Sequence, residues 1–227
     1  MHATATPTTA ATPRSPLRLR LIGGALLAVL LVAMILNTKF LTPAEVAAIA
    51  PKPFDPAQTA ADLWARAQAD LPAQAAPLGE VVPAMQSDLK GAAATYKAVS
   101  PNEGAYDFPV TVDGTVVEAS DASLKLQVAG VPGQTPVLVP LGTGINGTVV
   151  RDVMGFKFAQ APGQTQFQYV GDELRKLMAA EVQSLGPPAA LQGKQVKVVG
   201  AVNVTATGNT VPAAKPVNVQ PVSIEAA

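Results

Sequence analysis

The feature that most restricts this chain is the run LIGGALLAVLLVAMILNT, Leu21 to Thr38, which carries no charge and follows Arg14, Arg18 and Arg20. Its length is near the lower limit for a helix that crosses the hydrocarbon of a bilayer, and the arginines ahead of it put the N-terminus in the cytoplasm. Two other readings compete. A buried core helix is disfavoured by the flanking arginines, and a cleaved signal peptide by the position of the best small-residue cleavage pattern, Ala48-Ile49-Ala50, which lies well past the apolar run and is followed by Pro51. The expectation is an uncleaved signal anchor over 21–38. It makes the protein single-pass in the cytoplasmic (inner) membrane, with a disordered cytoplasmic tail over 1–20, a linker over 39–53 and the C-terminal domain in the periplasm.

The total of 227 residues leaves room after the anchor for one compact domain but not for a second large one. Sixteen basic and sixteen acidic residues cancel, and no basic cluster follows residue 20, so the footprint that nucleic acid requires is missing. Cysteine is absent, which removes thiolate nucleophiles, cysteine zinc sites and a lipoprotein's acylated cysteine; the single histidine, His2, sits in the N-terminal tail. No cofactor or metal is expected, since no aspartate run resembles a calcium loop.

DPAQTAADLWARAQADL reads as a helix with Asp55 as N-cap and Pro56 at its first position; Leu63, Trp64, Ala67 and Leu71 line one side. A second helix is expected from about Pro83 to Val99, with Met85, Leu89, Ala92, Ala93 and Tyr96 recurring at three- and four-residue steps. These helices define a helical subdomain over 54–103. From Phe108 the period becomes two. One long strand runs to Glu118 with a bulge or bend at Gly114, a second carries Leu124, Leu126 and Val128, and PVLVPL gives a third whose prolines suggest an exposed edge.

In GINGTVVRDVMGFKF, alternation would mix charge into both faces of a strand, whereas a helix groups Val149, Val150, Val153 and Met154. The helix is preferred, with Thr148 as N-cap, Asp152 near its positive end and Gly155 as a left-handed stop. A longer helix from about Thr165 to Ser184 follows, in which Asp172 and Lys176 can pair. Strands over 195–204 and 217–225 complete the chain. Three strands, a helical insertion and two strands describe an α+β protein with an OB-fold-like five-stranded β-barrel over 104–227; a β-sandwich would not hold so long a central helix.

The blocks FDPAQTAADLWARAQADLP, GAAATYKAVSPNEGAYDFPVTVDGTVVEAS, INGTVVRDVMGFKF, LQGKQVKVVGAVNV and PVNVQPVSIE resemble, in order and spacing, a bacterial family of predicted periplasmic lipoproteins, domain of unknown function 2291. The resemblance covers nearly everything after residue 39. It implies an accessory role outside the cytoplasmic membrane, beside ABC-type sugar importers, and it carries no catalytic residues over. The missing cysteine departs from the family's lipid anchor and leaves the apolar helix as the tether.

Without cysteine or a usable histidine, catalysis would fall to carboxylates, lysine, tyrosine and hydroxyls. Asp107, Asp113, Asp121, Asp152, Asp172 and Glu173 are the acid–base candidates, and most read as turn or surface residues. Phe156, Phe158, Phe167 and Tyr169, interleaved with glutamines, have the ingredients of a sugar platform, against the plainer reading that they close the barrel. Arg151 and Asp152, about 100° apart on a helix, are expected to meet different partners in a structural or docking role. The expected function is non-catalytic: a membrane-anchored accessory or assembly protein near a sugar importer. The alternative is a carbohydrate-binding or carbohydrate-processing domain.

Overall fold

A computed structural model describes residues 16–39, 41–43, 45–46 and 53–226, and the chain divides into two units, Met1–Lys52 and Pro53–Ala227. In the first unit, helix α1 spans Pro16–Asn37. Its segment Arg20–Asn37 has a mean hydropathy of 2.2 and no buried residue, so leucine, isoleucine and valine are presented all round. A helix apolar on every side has no stable place in water by itself. Because α1 begins at Pro16, the C-terminal end of the tail expected to be disordered over 1–20 is helical; a proline in the first turn costs no hydrogen bond. Residues 1–15, the Ala48-Ile49-Ala50 pattern and much of the linker lie outside the described residues.

In the second unit, Asp55 starts helix α2, Pro56–Gln74, as expected: its Oδ1 accepts from the backbone N–H of Ala57 (2.9 Å) and Gln58 (3.2 Å). Ala60, Leu63, Ala67 and Leu71 form its buried face. The helix expected from Pro83 to Val99 is instead two, α3 (Leu78–Ser87) and α4 (Leu89–Thr95). Asp88 separates them in an extended conformation. Its carboxylate accepts from Gly91 N–H and from the Asn209 side chain, and Asn209 O accepts from Leu89 N–H, so a distant loop supplies the partners that break the helix. That contact is not local in sequence, which is why periodicity runs through it.

The strands are β1 (Ala76–Pro77), β2 (Ala105–Ala119), β3 (Ser123–Val128), β4 (Val137–Pro140), β5 (Gln195–Thr205) and β6 (Val217–Ala226). Six strands replace the expected five because the short β1 adds in parallel to β2 at Val110 and Thr111. The other pairings run β2-β3-β4-β6-β5 and return from β5 to β2, closing a circuit. Strand β4 is therefore not an exposed edge. It pairs with β3 on one side and β6 on the other, and its prolines are harmless at the ends of the ladder, where Pro136 O accepts from Val217 N–H. The bulge in β2 falls between Val116 and Glu118 rather than at Gly114, which keeps its register with Val128 and Val196.

Phe108, Val110, Val112, Leu124, Val139, Val198, Val202, Val219 and Val222 fill the inner side of the strands. Leu71, Leu78, Val81, Val82, Met85 and Leu89 from the helices belong to the same buried cluster, so the helical segment over 54–103 shares its core with the strands instead of forming a subdomain of its own.

Candidate functional site

Between β4 and β5 the chain builds a corner from helices α5, Gly147–Val153, and α6, Gln164–Gln183. The N-cap of α5 is Asn146, not Thr148. Asn146 Oδ1 accepts from Thr148 N–H (3.1 Å) and Thr148 Oγ1 (2.7 Å), so Thr148 is a donor to the cap. The start of α5 is fixed to β6 by the buried Gln220, whose Oε1 accepts from Asn146 N–H (2.7 Å) and whose Nε2 donates to Gly144 O (3.2 Å). Gly155, with φ of 74°, ends the helix in the left-handed conformation as expected. Gly155 N–H then donates to Asp152 O and Phe156 N–H to Arg151 O, a closing pattern that turns Phe156 inward.

Asp152 thus lies in the last turn of a seven-residue helix, away from the positive end where it was expected. It pairs with its neighbour: Arg151 Nε donates to Asp152 Oδ1 at 2.9 Å. The expectation of separate partners fails because the long arginine side chain folds back across the 100° step between adjacent helical positions. Arg151 is 5% exposed. Its Nη1 donates to Phe167 O at 3.1 Å, and its guanidinium carbon sits 3.6 Å from the centroid of the Phe167 ring. One planar group meets a carboxylate, a carbonyl and an aromatic face together, a combination that lysine cannot reproduce.

The aromatic residues continue from this contact. Phe54 stacks on Phe156 at 6.4 Å, Phe156 on Phe167 at 5.9 Å, and Phe158 meets Phe167 edge-on at 5.6 Å. Phe54, Phe156 and Phe167, with Ala60, Leu63, Val170 and Leu174, form a second apolar cluster between α2 and α6. Phe156 and Phe167 therefore close the helical corner, not the strand circuit. Phe158 and Tyr169 are only partly used, at 55% and 52% exposure.

Beneath the corner, Asp107 of β2 is 1% exposed. Its Oδ1 accepts from Asn203 Nδ2 across the β2–β5 ladder at 2.6 Å, and its Oδ2 has no partner among the described residues. Burial pushes its carboxyl up to about 6; the Asn203 hydrogen bond opposes the rise, the Asp152 charge adds to it and Arg151 opposes it. The structure thus joins Asp107 electrostatically to Arg151 and Asp152. Alternation put Asp107 in phase with Pro109, Thr111 and Asp113, on the face opposite Phe108, and gave no sign that this face would be covered there.

The other acid–base candidates do not join this group. Asp113, Asp121 and Asp172 are exposed, and Lys176 pairs with Glu173 at 2.7 Å rather than with Asp172. Among the described residues, no cluster of three or more His, Asp or Glu side chains could hold a metal ion. The buried Asp107 carboxyl and the Arg151 guanidinium, which uses two of its five N–H donors on Asp152 and Phe167 O, hold charge in place inside the corner. Open clefts also mark the surface of the described residues. One of about 380 Å³ is bordered by Gln74, Tyr96, Lys97 and Val153, and one of about 320 Å³ by β3, β4 and Thr135, without an aromatic ring.

No curated protein matches the chain. Among solved structures, an OB-fold protein from Thermotoga maritima superposes with a TM-score of 0.65 at 17% identity, covering 78% of this chain and 100% of the other. At that identity the likeness concerns fold alone, and it agrees with the order of strands in the circuit. The profile of the predicted periplasmic lipoproteins, DUF2291, matches residues 26–225, and the chain belongs to that family.

Proposed function

We propose that this protein is a non-catalytic accessory factor, held at the periplasmic face of the cytoplasmic membrane by α1 and serving an ABC-type sugar importer. The observation that carries the reading is α1 itself: the segment Arg20–Asn37 is apolar on all sides and unburied, and the sequence has no cysteine to carry a lipid. Arg18 and Arg20 at its N-terminal end favour a cytoplasmic start. The non-catalytic part is supported by the burial of Asp107 and Arg151, which keeps both out of reach of a substrate in solution. The importer comes from the family resemblance, and the fold likeness adds nothing to it.

The alternative, a carbohydrate-binding or carbohydrate-processing domain, draws on the glutamine-flanked aromatics. The stacking of Phe156 and Phe167 against Phe54 argues against it, since it removes two of the four rings from any ligand. A reporter enzyme active only outside the cytoplasm is expected to work when fused after Ala227 and to fail when fused before Leu17. Purification from native membranes is then expected to bring down importer subunits. A cytoplasmic C-terminus would overturn the anchoring and the importer role together.

A further inference from the structure

On the side away from β5, the first half of β2 is paired at two places, with Val99 at Asp107 and with β1 at Val110 and Thr111. Between them lies Pro109, which is buried and has no N–H to offer. This break in the pairing borders the cleft of about 380 Å³, a volume within the roughly 300–1,000 Å³ of small-molecule sites. Val99, Pro109 and Val153 give the cleft apolar lining, and Gln74, Tyr96 and Lys97 give it polar groups.

Lys97 occupies a backbone conformation that suits it poorly. It follows the end of α4 with φ of 53°, which lets Ala98 N–H donate to Ala93 O and Tyr96 N–H to Ala92 O, each at 2.9 Å. Glycine adopts this left-handed conformation freely, and every other residue of positive φ among the described ones is a glycine. A lysine here instead sets a cation on a cleft that no carboxylate lines, and among the described residues it forms no ion pair. An incoming anion meets no acidic competitor.

We propose that this cleft binds a small organic carboxylate, with the Lys97 ammonium on the carboxylate and an apolar body over Val99, Pro109 and Val153. The Tyr96 hydroxyl and the Gln74 amide are further donors at the border, whereas the Thr95 hydroxyl already donates to Gly91 O at 2.9 Å. A single ammonium matches a monoanion; a phosphate dianion is more often gripped by guanidinium forks or by several backbone donors. Because Pro109 supplies no donor, the body of the ligand gains from burial and not from hydrogen bonds. The site needs neither the anchor nor an importer.

The test titrates 4-fluorobenzoate, a monoanion with an apolar ring, against the full chain in lipid nanodiscs, followed by fluorine NMR line broadening with empty discs as reference. The parent protein is expected to broaden the signal. Uncharged 4-fluorobenzamide should bind about tenfold more weakly or worse, and Lys97→Met, which keeps the stem and removes the ammonium, should weaken 4-fluorobenzoate as much. Lys97→Gly separates binding from folding: it should lose the probe equally while melting at or above the parent temperature, since glycine relieves the left-handed strain. Lys194→Met, an exposed lysine outside the cleft, should bind like the parent. No broadening by the parent overturns the proposal, as does equal binding of the benzamide or undiminished binding to Lys97→Met. A Lys97→Gly variant that melts below the parent gives the lysine a folding role in place of a ligand, and overturns it too.

Discussion

The strand circuit and the α5–α6 corner belong to one compact unit and are stabilised in opposite ways. The circuit is repetitive: valines alternate along β2, β5 and β6, the ladders satisfy the backbone, and stability accrues from many equivalent apolar contacts. The corner is singular. It depends on one arginine with three partners, a line of stacked rings, one sealed carboxylate and two glycines at a helix crossing. A repetitive region tolerates local error and signals itself through periodicity; a singular one does neither.

The largest expected effect belongs to the circuit. Phe108 is fully buried at its centre, and Phe108→Ala is expected to cost about 3–5 kcal/mol through a cavity that the surrounding valines cannot close. Chemical denaturation checks this, and a loss below about 1 kcal/mol would mean that the circuit relaxes far more than close packing allows.

The corner should fail in the other direction, by overpacking. A Cβ at Gly147 would meet Gly171 O and the backbone nitrogen of Arg175, both on α6 and neither able to swing aside. Gly147→Ala is expected to cost about 3 kcal/mol, the upper part of the usual range for added volume. The comparison sharpens if the same variant leaves the β2–β5 amides protected from hydrogen exchange while those of α5 exchange freely.

Asp107 joins the two regions, since it lies on a strand and feels the corner's charges. Its carboxyl is raised from 3.8 to about 6 in the folded protein, so the folded state holds that proton more tightly than the unfolded chain. The favourable contribution is complete below about pH 4 and is lost as the pH rises through 6, with a span on the order of 2–3 kcal/mol. Asp107→Asn should remove this dependence. The stability of the variant relative to the parent is expected to increase between pH 4 and pH 7 whatever its offset at pH 4, and thermal melts across that window read the slope directly.

Much of the circuit was legible in the sequence, because one-residue alternation is a local property that burial enforces. The starts of α2 and α6 and the left-handed Gly155 were legible for the same reason. Errors gathered where a distant residue decides the outcome. Asn209 splits α3 from α4, Val217 draws β4 off the edge, and Gln220 holds the loop whose cap is Asn146. The candidate site was half legible. Arg151, Asp152, Phe156 and Phe167 do come together, but the sequence could not show that the arginine folds back onto its neighbour, or that Asp107 lies beneath both.

The central claim is that Arg151 is a structural joint whose partners all lie inside the protein. It is tested most directly by thermal unfolding of Arg151→Ala and Arg151→Lys beside the parent. Removing the guanidinium takes the charged donor from Asp152 and a second donor from Phe167 O, so Arg151→Ala is expected to cost about 1–3 kcal/mol. Arg151→Lys should recover only part of this, because an ammonium cannot serve both acceptors while lying flat on the ring. If Arg151→Ala instead melts with the parent and loses only its membrane partners, the arginine belongs to an interface and this account of the corner is contradicted.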